Sequence, residues 1–207
     1  MHPNSAFRPK GTAAQESVHY KAFVREVGFG MIFATTPNGP RVAHAALLWA
    51  DDGVVQFHLS HRNAMAQHID GMRVLAVING PEGYVSPRWY EDPAQVPTWN
   101  YVTLEMEGRV RRLDTAGLSG LLERQSAHQE GKIIGGVPWT MDKLPPEALN
   151  SMLSAIIGFE LGVDIWRPTF KLSQNKSAAD RARVAAGLET QGSHAIAKRM
   201  RSVGGPV

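Results

Sequence analysis

Between Trp99 and Leu113 apolar and polar residues alternate, with Val102, Leu104 and Met106 interleaved with Thr103, Glu105 and Glu107. Successive side chains of an extended strand point to opposite faces, so the pattern predicts a long strand with one buried and one wet face. Such a strand needs partners, and the chain offers several. Phe29 to Thr35 is mostly apolar, and Pro37-Asn38-Gly39-Pro40 behind it is turn chemistry, because Asn and Gly accept positive φ. Arg41 to Trp49 and Val54 to Leu59 read as two strands joined by Asp51-Asp52-Gly53. Arg73 to Ile78 and Phe159 to Trp166 read as two more.

Helices are expected at the margins. Thr12-Ala13-Ala14-Gln15 has the form of a capping box, and Val18, Ala22, Phe23 and Val27 mark one helical face that Gly28 would close. Asn63 to Ile69 reads as a short helix. Thr115 to Gln129, Pro145 to Ile157 and Ser177 to about Arg201 read as longer ones, the last weakly amphipathic. Six or so strands in mainly antiparallel order, with helices at the edges, predict a mainly β, α+β fold: a small Greek-key-like antiparallel barrel with appended helices. Residues 1–176 are expected to form the barrel domain, with an N-terminal helix and two inserted helices. Residues 177–207 are expected to form a helical, basic appendage, frayed from Ser202.

The 207 residues contain no cysteine, which excludes disulfides, thiol catalysis and cysteine-based metal sites. No apolar run approaches membrane-spanning length and the first residues lack a signal-peptide core, so a cytoplasmic protein is expected. The net charge of +3 is unevenly spread. From Lys171 onward seven basic residues face two acidic ones, a surplus of +5, while the rest of the chain carries −2. A basic C-terminal segment suits weak contact with nucleic acid, and equally suits a solvated helix surface.

Motifs for several chemistries are missing. Gly28-Phe29-Gly30 lacks the third glycine of a dinucleotide fingerprint and precedes a strand. There is no P-loop, no HExxH and no nucleophile elbow. His58 and His61 fall on different faces at a strand end, so no metal site is expected.

Three stretches are richer than core packing requires: Tyr84 to Tyr90 (YVSPRWY), Val96 to Tyr101 (VPTWNY) and Lys171 to Lys176 (KLSQNK). Polar groups interleaved with Trp, Tyr and Pro suit a binding wall, although Trp89 and Trp99 would also serve as plugs at the barrel ends. Together and in this order the stretches resemble the PaiB-like family of FMN-binding negative transcriptional regulators. The resemblance runs from His2-Pro3 and Phe7-Arg8 through Asp180-Arg181, and Pro138 to Lys143 also looks like a family element. The chain departs from many members in its short Glu91 to Gln95 loop, where they carry a longer, lysine-containing insert.

The resemblance implies a split β-barrel similar to pyridoxamine-phosphate oxidases, with FMN in a cleft between the subunits of a homodimer. Leu59-Ser60-His61-Arg62-Asn63 would supply a hydroxyl, a guanidinium and a helix N-terminus to the FMN phosphate, or would simply start a capped helix. His44 lies on a strand that would line the flavin ring, or is a core histidine. Trp99, Asn100, Ser173, Gln174 and Asn175 belong to the motif walls. Trp166 followed by Lys171 loosely resembles the Trp and basic residue near the C-terminus of the oxidases. The family implies a regulator. An FMN-dependent oxidoreductase acting on an unknown small molecule is the alternative and a haem-binding protein a weaker one, and no catalytic residue stands out.

Overall fold

The computed structural model describes residues 4–8, 13–51 and 53–202. His2, Pro3, the capping residue Thr12, Asp52 of the expected turn and the segment from residue 203 lie outside them. A first helix, α1 (Ala13–Val27), is followed by β1 (Phe29–Thr36), β2 (Gly39–Ala46), β3 (Leu48–Asp51), β4 (Val54–Ser60), β5 (Arg73–Val85) and β6 (Thr98–Arg112). Then come α2 (Thr115–Glu130), α3 (Pro146–Ser154), β7 (Ile156–Lys171), α4 (Ala178–Thr190) and α5 (His194–Arg201). The strands form one seven-stranded sheet in the order β2-β1-β5-β6-β7-β4-β3. The pairs β1–β2, β1–β5, β3–β4 and β4–β7 are antiparallel.

The alternating stretch forms β6 as expected, with every second residue from Asn100 to Val110 buried. The β1–β2 hairpin turns at Pro37-Asn38, with Phe29 opposite Ala46, Met31 opposite His44 and Phe33 opposite Val42. α2 begins where the sequence places it, because the Asp114 carboxylate accepts from the N–H of Gly117 at 2.7 Å.

Four expectations need correction. Arg41 to Trp49 is two strands: the N–H of Leu47 turns away to Gly28 O at 3.0 Å, freeing β3 to pair with β4. Asn63 to Ile69 is a run of turns instead of a helix, because its amides close short loops, Ala66 N to Asn63 O and His68 N to Met65 O. β5 continues through Pro81 to Val85, past the expected end at Ile78; its register with β1 ends at Val77, beyond which proline costs that pairing nothing. The last helix is broken at Gly192, whose φ of +81° no ordinary helical residue adopts, giving α4 and α5. In addition α3 stops at Ser154 and β7 is extended at both ends, to Ile156 and Lys171.

By internal contacts the chain divides into two compact units, with boundaries inside α1, β5, β6 and β7. One comprises residues up to Tyr20, Asn79–Glu105 and Arg167 onward; the other comprises Lys21–Ile78 and Met106–Trp166. We call them the motif unit and the hairpin unit. The hairpin unit has Ile32, Phe57, Phe159 and Leu161 fully buried, with Phe57 and Phe159 stacked at 5.4 Å. In the motif unit Val184, Leu188, Ile196 and Met200 bring α4 and α5 into the interior.

Candidate functional site

The three sequence motifs converge in the motif unit. Lys171 Nζ donates to Thr98 Oγ1 at 2.6 Å, joining the last strand to the start of β6. Asn100 is completely buried, and its Nδ2 donates to Ser173 Oγ at 3.0 Å and contacts Met200 Sδ at 3.2 Å. Ser173, itself buried, takes a positive φ of 60°, an uncommon conformation for a residue with a side chain. Gln174 folds back on its own loop, accepting from Leu172 N at 2.7 Å and donating to Phe170 O. Lys176 Nζ reaches Gln95 Oε1 at 2.7 Å and lies over the Tyr90 ring. Trp99 is half exposed and meets Tyr84 edge-on at 6.1 Å, and Asn175 is exposed.

Burial pulls the Lys171 ammonium below its usual range, because a less solvated site disfavours the charge. The phenyl ring of Phe7, 5.9 Å from Nζ, is a second neighbour. Thr98, Gln95 and Tyr84 were not singled out one by one from sequence, although each stands in or beside a motif. Met200 and the α4 surface had no local signal.

The remaining expected residues belong to the hairpin unit. Ser60, His61 and Arg62 are exposed at the end of β4, and Asn63 is half-buried. Ser60 Oγ accepts from Arg62 N at 3.3 Å, and Asn63 Oδ1 accepts from Met65 N at 2.9 Å. The segment therefore consumes the amides that a helix N-terminus would present, and any anion here depends on side chains. Those remain available: the Arg62 guanidinium and the Asn63 Nδ2 make no hydrogen bond or ion pair among the described residues. His61 lies beside Gln67, 3.3 Å from its Nε2, and lines a cavity of about 330 Å³ with Arg112, Thr115 and Asn150. Cation, amide and hydroxyl together fit a phosphate monoester.

His44 is exposed on β2 and stacks against Phe29 at 6.4 Å, so it is not a core histidine. Trp166 stacks on Trp49 at 5.3 Å. The Trp49 indole N–H beside it is buried without a partner, as is Nδ1 of His58. Among the described residues no group of three or more His, Asp or Glu could hold a metal ion, and no helix is long and apolar enough to cross a membrane.

The basic C-terminal segment is engaged within the motif unit. Arg183 pairs with Glu91 and Asp180, both at 2.9 Å, and Arg201 with Glu189. Arg181 donates to Lys176 O at 2.9 Å. The Glu91 N–H and then Arg183 hold the Asp180 carboxyl below its ordinary value, and Arg201 does the same for Glu189.

A seven-stranded sheet with flanking helices is the architecture of the split-barrel class. The fold comparison agrees: the chain superposes on a FAD and haem binding protein from Mycobacterium smegmatis with a TM-score of 0.58, 13% identity, and 82% and 77% of the two chains covered. The flavocytochrome Anf3 from Azotobacter vinelandii gives a TM-score of 0.56 at 14% identity, with 87% and 80% covered. The family model described as "Putative FMN-binding domain" matches residues 6–165, and the chain belongs to that family. It is also 30% identical over 177 residues to the protease synthase and sporulation protein PAI 2 of Bacillus subtilis, covering 82% of each chain. The cofactor is accordingly FMN.

Proposed function

We propose that this chain is a flavin-binding regulatory protein of the PaiB-like kind, gripping the FMN phosphate through Ser60, His61, Arg62 and Asn63. The observation that carries the reading is the unpartnered Arg62 guanidinium, exposed on a turn where the Ser60 hydroxyl and the Asn63 Nδ2 remain free to donate. Of the motif residues expected at the cofactor, Trp99 and Asn175 are exposed and Lys171 is half-buried against Thr98, whereas Asn100, Ser173 and Gln174 act from behind by fixing the loop that carries them. His44 and Phe29 offer a flat surface for a ring or a second subunit. Bound FMN supplies electron-transfer chemistry; the protein's part is to hold it and to limit solvent access.

The assembly proposed is a homodimer. Phe29, Phe33, Val42 and His44 lie exposed together on the β1–β2 hairpin, an apolar face that water disfavours. The regulatory role is supported by the family motifs and by the likeness to a protein named for protease synthesis and sporulation. A second reading, an FMN-dependent oxidoreductase, is favoured by the engagement of Arg183 and Arg201 with carboxylates, which leaves the C-terminal segment a poorer cation for DNA.

Titration of Arg62→Ala with FMN and with riboflavin tests the grip. The variant should lose about 1.5–3 kcal/mol of FMN affinity and almost none of riboflavin affinity, since only FMN offers an anion. Equal losses would place the phosphate elsewhere. DNA retention by the intact protein at low salt then separates the two uses of the flavin: its absence moves the oxidoreductase reading ahead.

A further inference from the structure

The motif unit contains a second cavity that the flavin reading does not use. It encloses about 710 Å³, within the range of about 300–1,000 Å³ typical of small-molecule sites. Tyr84 and Trp89 present aromatic surface, and Pro87, Pro97 and Leu188 complete the apolar lining. The Trp89 indole is held in a fixed position. It lies against the α4 backbone at Gly187, where a Cβ would come within 2.4 Å of the ring, so only glycine lets the indole settle there.

The polar groups of the cavity are as specific as its walls. Among the described residues its only charged lining residue is Arg88, and none of the lining residues is a carboxylate. The Arg88 guanidinium is exposed and makes no hydrogen bond or ion pair among the described residues. The Gln191 amide, the Ser193 hydroxyl and the Tyr84 hydroxyl are likewise without side-chain partners there. Arginines elsewhere in the same unit find carboxylates, as Arg183 and Arg201 do. A preset aromatic wall beside a lone cation with neutral donors around it complements a flat apolar body that ends in an anion.

We propose that this cavity binds a small planar carboxylate, an aryl acid, with its ring against Trp89 and Tyr84 and its carboxylate on Arg88. The cavity shares no lining residue with the proposed flavin grip and does not rest on that reading. The chain thereby gains a means of sensing, or of acting on, an aromatic acid.

Calorimetric titration of the intact protein with 2-naphthoate and with the neutral isostere 2-naphthamide tests the proposal. Naphthoate should bind saturably, at least about tenfold more tightly than the amide, because a guanidinium rewards only the anion. Arg88→Gln should abolish that preference while leaving the circular dichroism spectrum and FMN affinity unchanged, since Arg88 supports no other residue. Arg62→Ala should leave naphthoate binding intact, which keeps the two sites distinguishable. Equal binding of acid and amide, no saturable binding of either, an unaffected Arg88→Gln variant, or displacement of FMN by naphthoate would each overturn the proposal.

Discussion

Asn100 shows how a polar residue in an aromatic motif can serve structure first. Its side chain is wholly buried, with the amide committed to Ser173 and Met200, and this ties β6 to the loop after β7 and to α5. Replacing it with alanine removes buried hydrogen bonds, strands the Ser173 hydroxyl and leaves a small void. Asn100→Ala should therefore cost about 2–4 kcal/mol of stability in urea unfolding. Asn175→Ala, at an exposed position two residues past Ser173, should stay within about 0.5 kcal/mol of the native chain. If the two variants unfold alike, the Asn100 network is not what holds the motif unit.

At the scale of elements, α4 and α5 are part of the interior of the motif unit. They bury Val184, Leu188, Ile196 and Met200, seat the Trp89 indole on Gly187 and close over Asn100. A chain ending after Asn175 would leave Trp89 and Asn100 uncovered. It should show increased proteolysis between residues 79 and 105 and loss of near-ultraviolet dichroism, because buried apolar surface worth several kcal/mol becomes wet. A truncated chain as protease-resistant as the full one would show these helices to be dispensable. Charge counting alone treats this segment as a detachable basic tail; its apolar residues determine where it packs.

For the whole molecule, the exposed apolar face of the β1–β2 hairpin governs the expected assembly. Val42 is 46% exposed and lies opposite Phe33, which is 38% exposed, on an edge strand of the sheet. Light scattering should report about twice the 22.6 kDa chain mass. Val42→Glu should shift the protein toward monomer without unfolding it, since a charge is costly in a buried interface and harmless in water. A native monomer that binds FMN tightly would sink the dimer reading.

The period-two pattern from Val102 to Glu107, the hairpin turn at Pro37-Asn38 and the Asp114 cap are local physics, and the sequence alone determined β6, β1–β2 and the start of α2 from them. The three aromatic-polar motifs likewise point to the family and its cofactor. Tertiary structure decided what has no local signature. The break at Leu47 depends on a bond to Gly28 O, and β5 runs through Pro81 where its register with β1 has already ended. The turns at 63–69 replace an expected helix because their amides close on nearby carbonyls and on the Asn63 side chain. Which candidate residues are open to solvent was likewise undecided by sequence: burial withdrew Asn100 and Ser173 into the interior, left Arg62 and Arg88 open, and depends on segments about a hundred residues apart meeting in space.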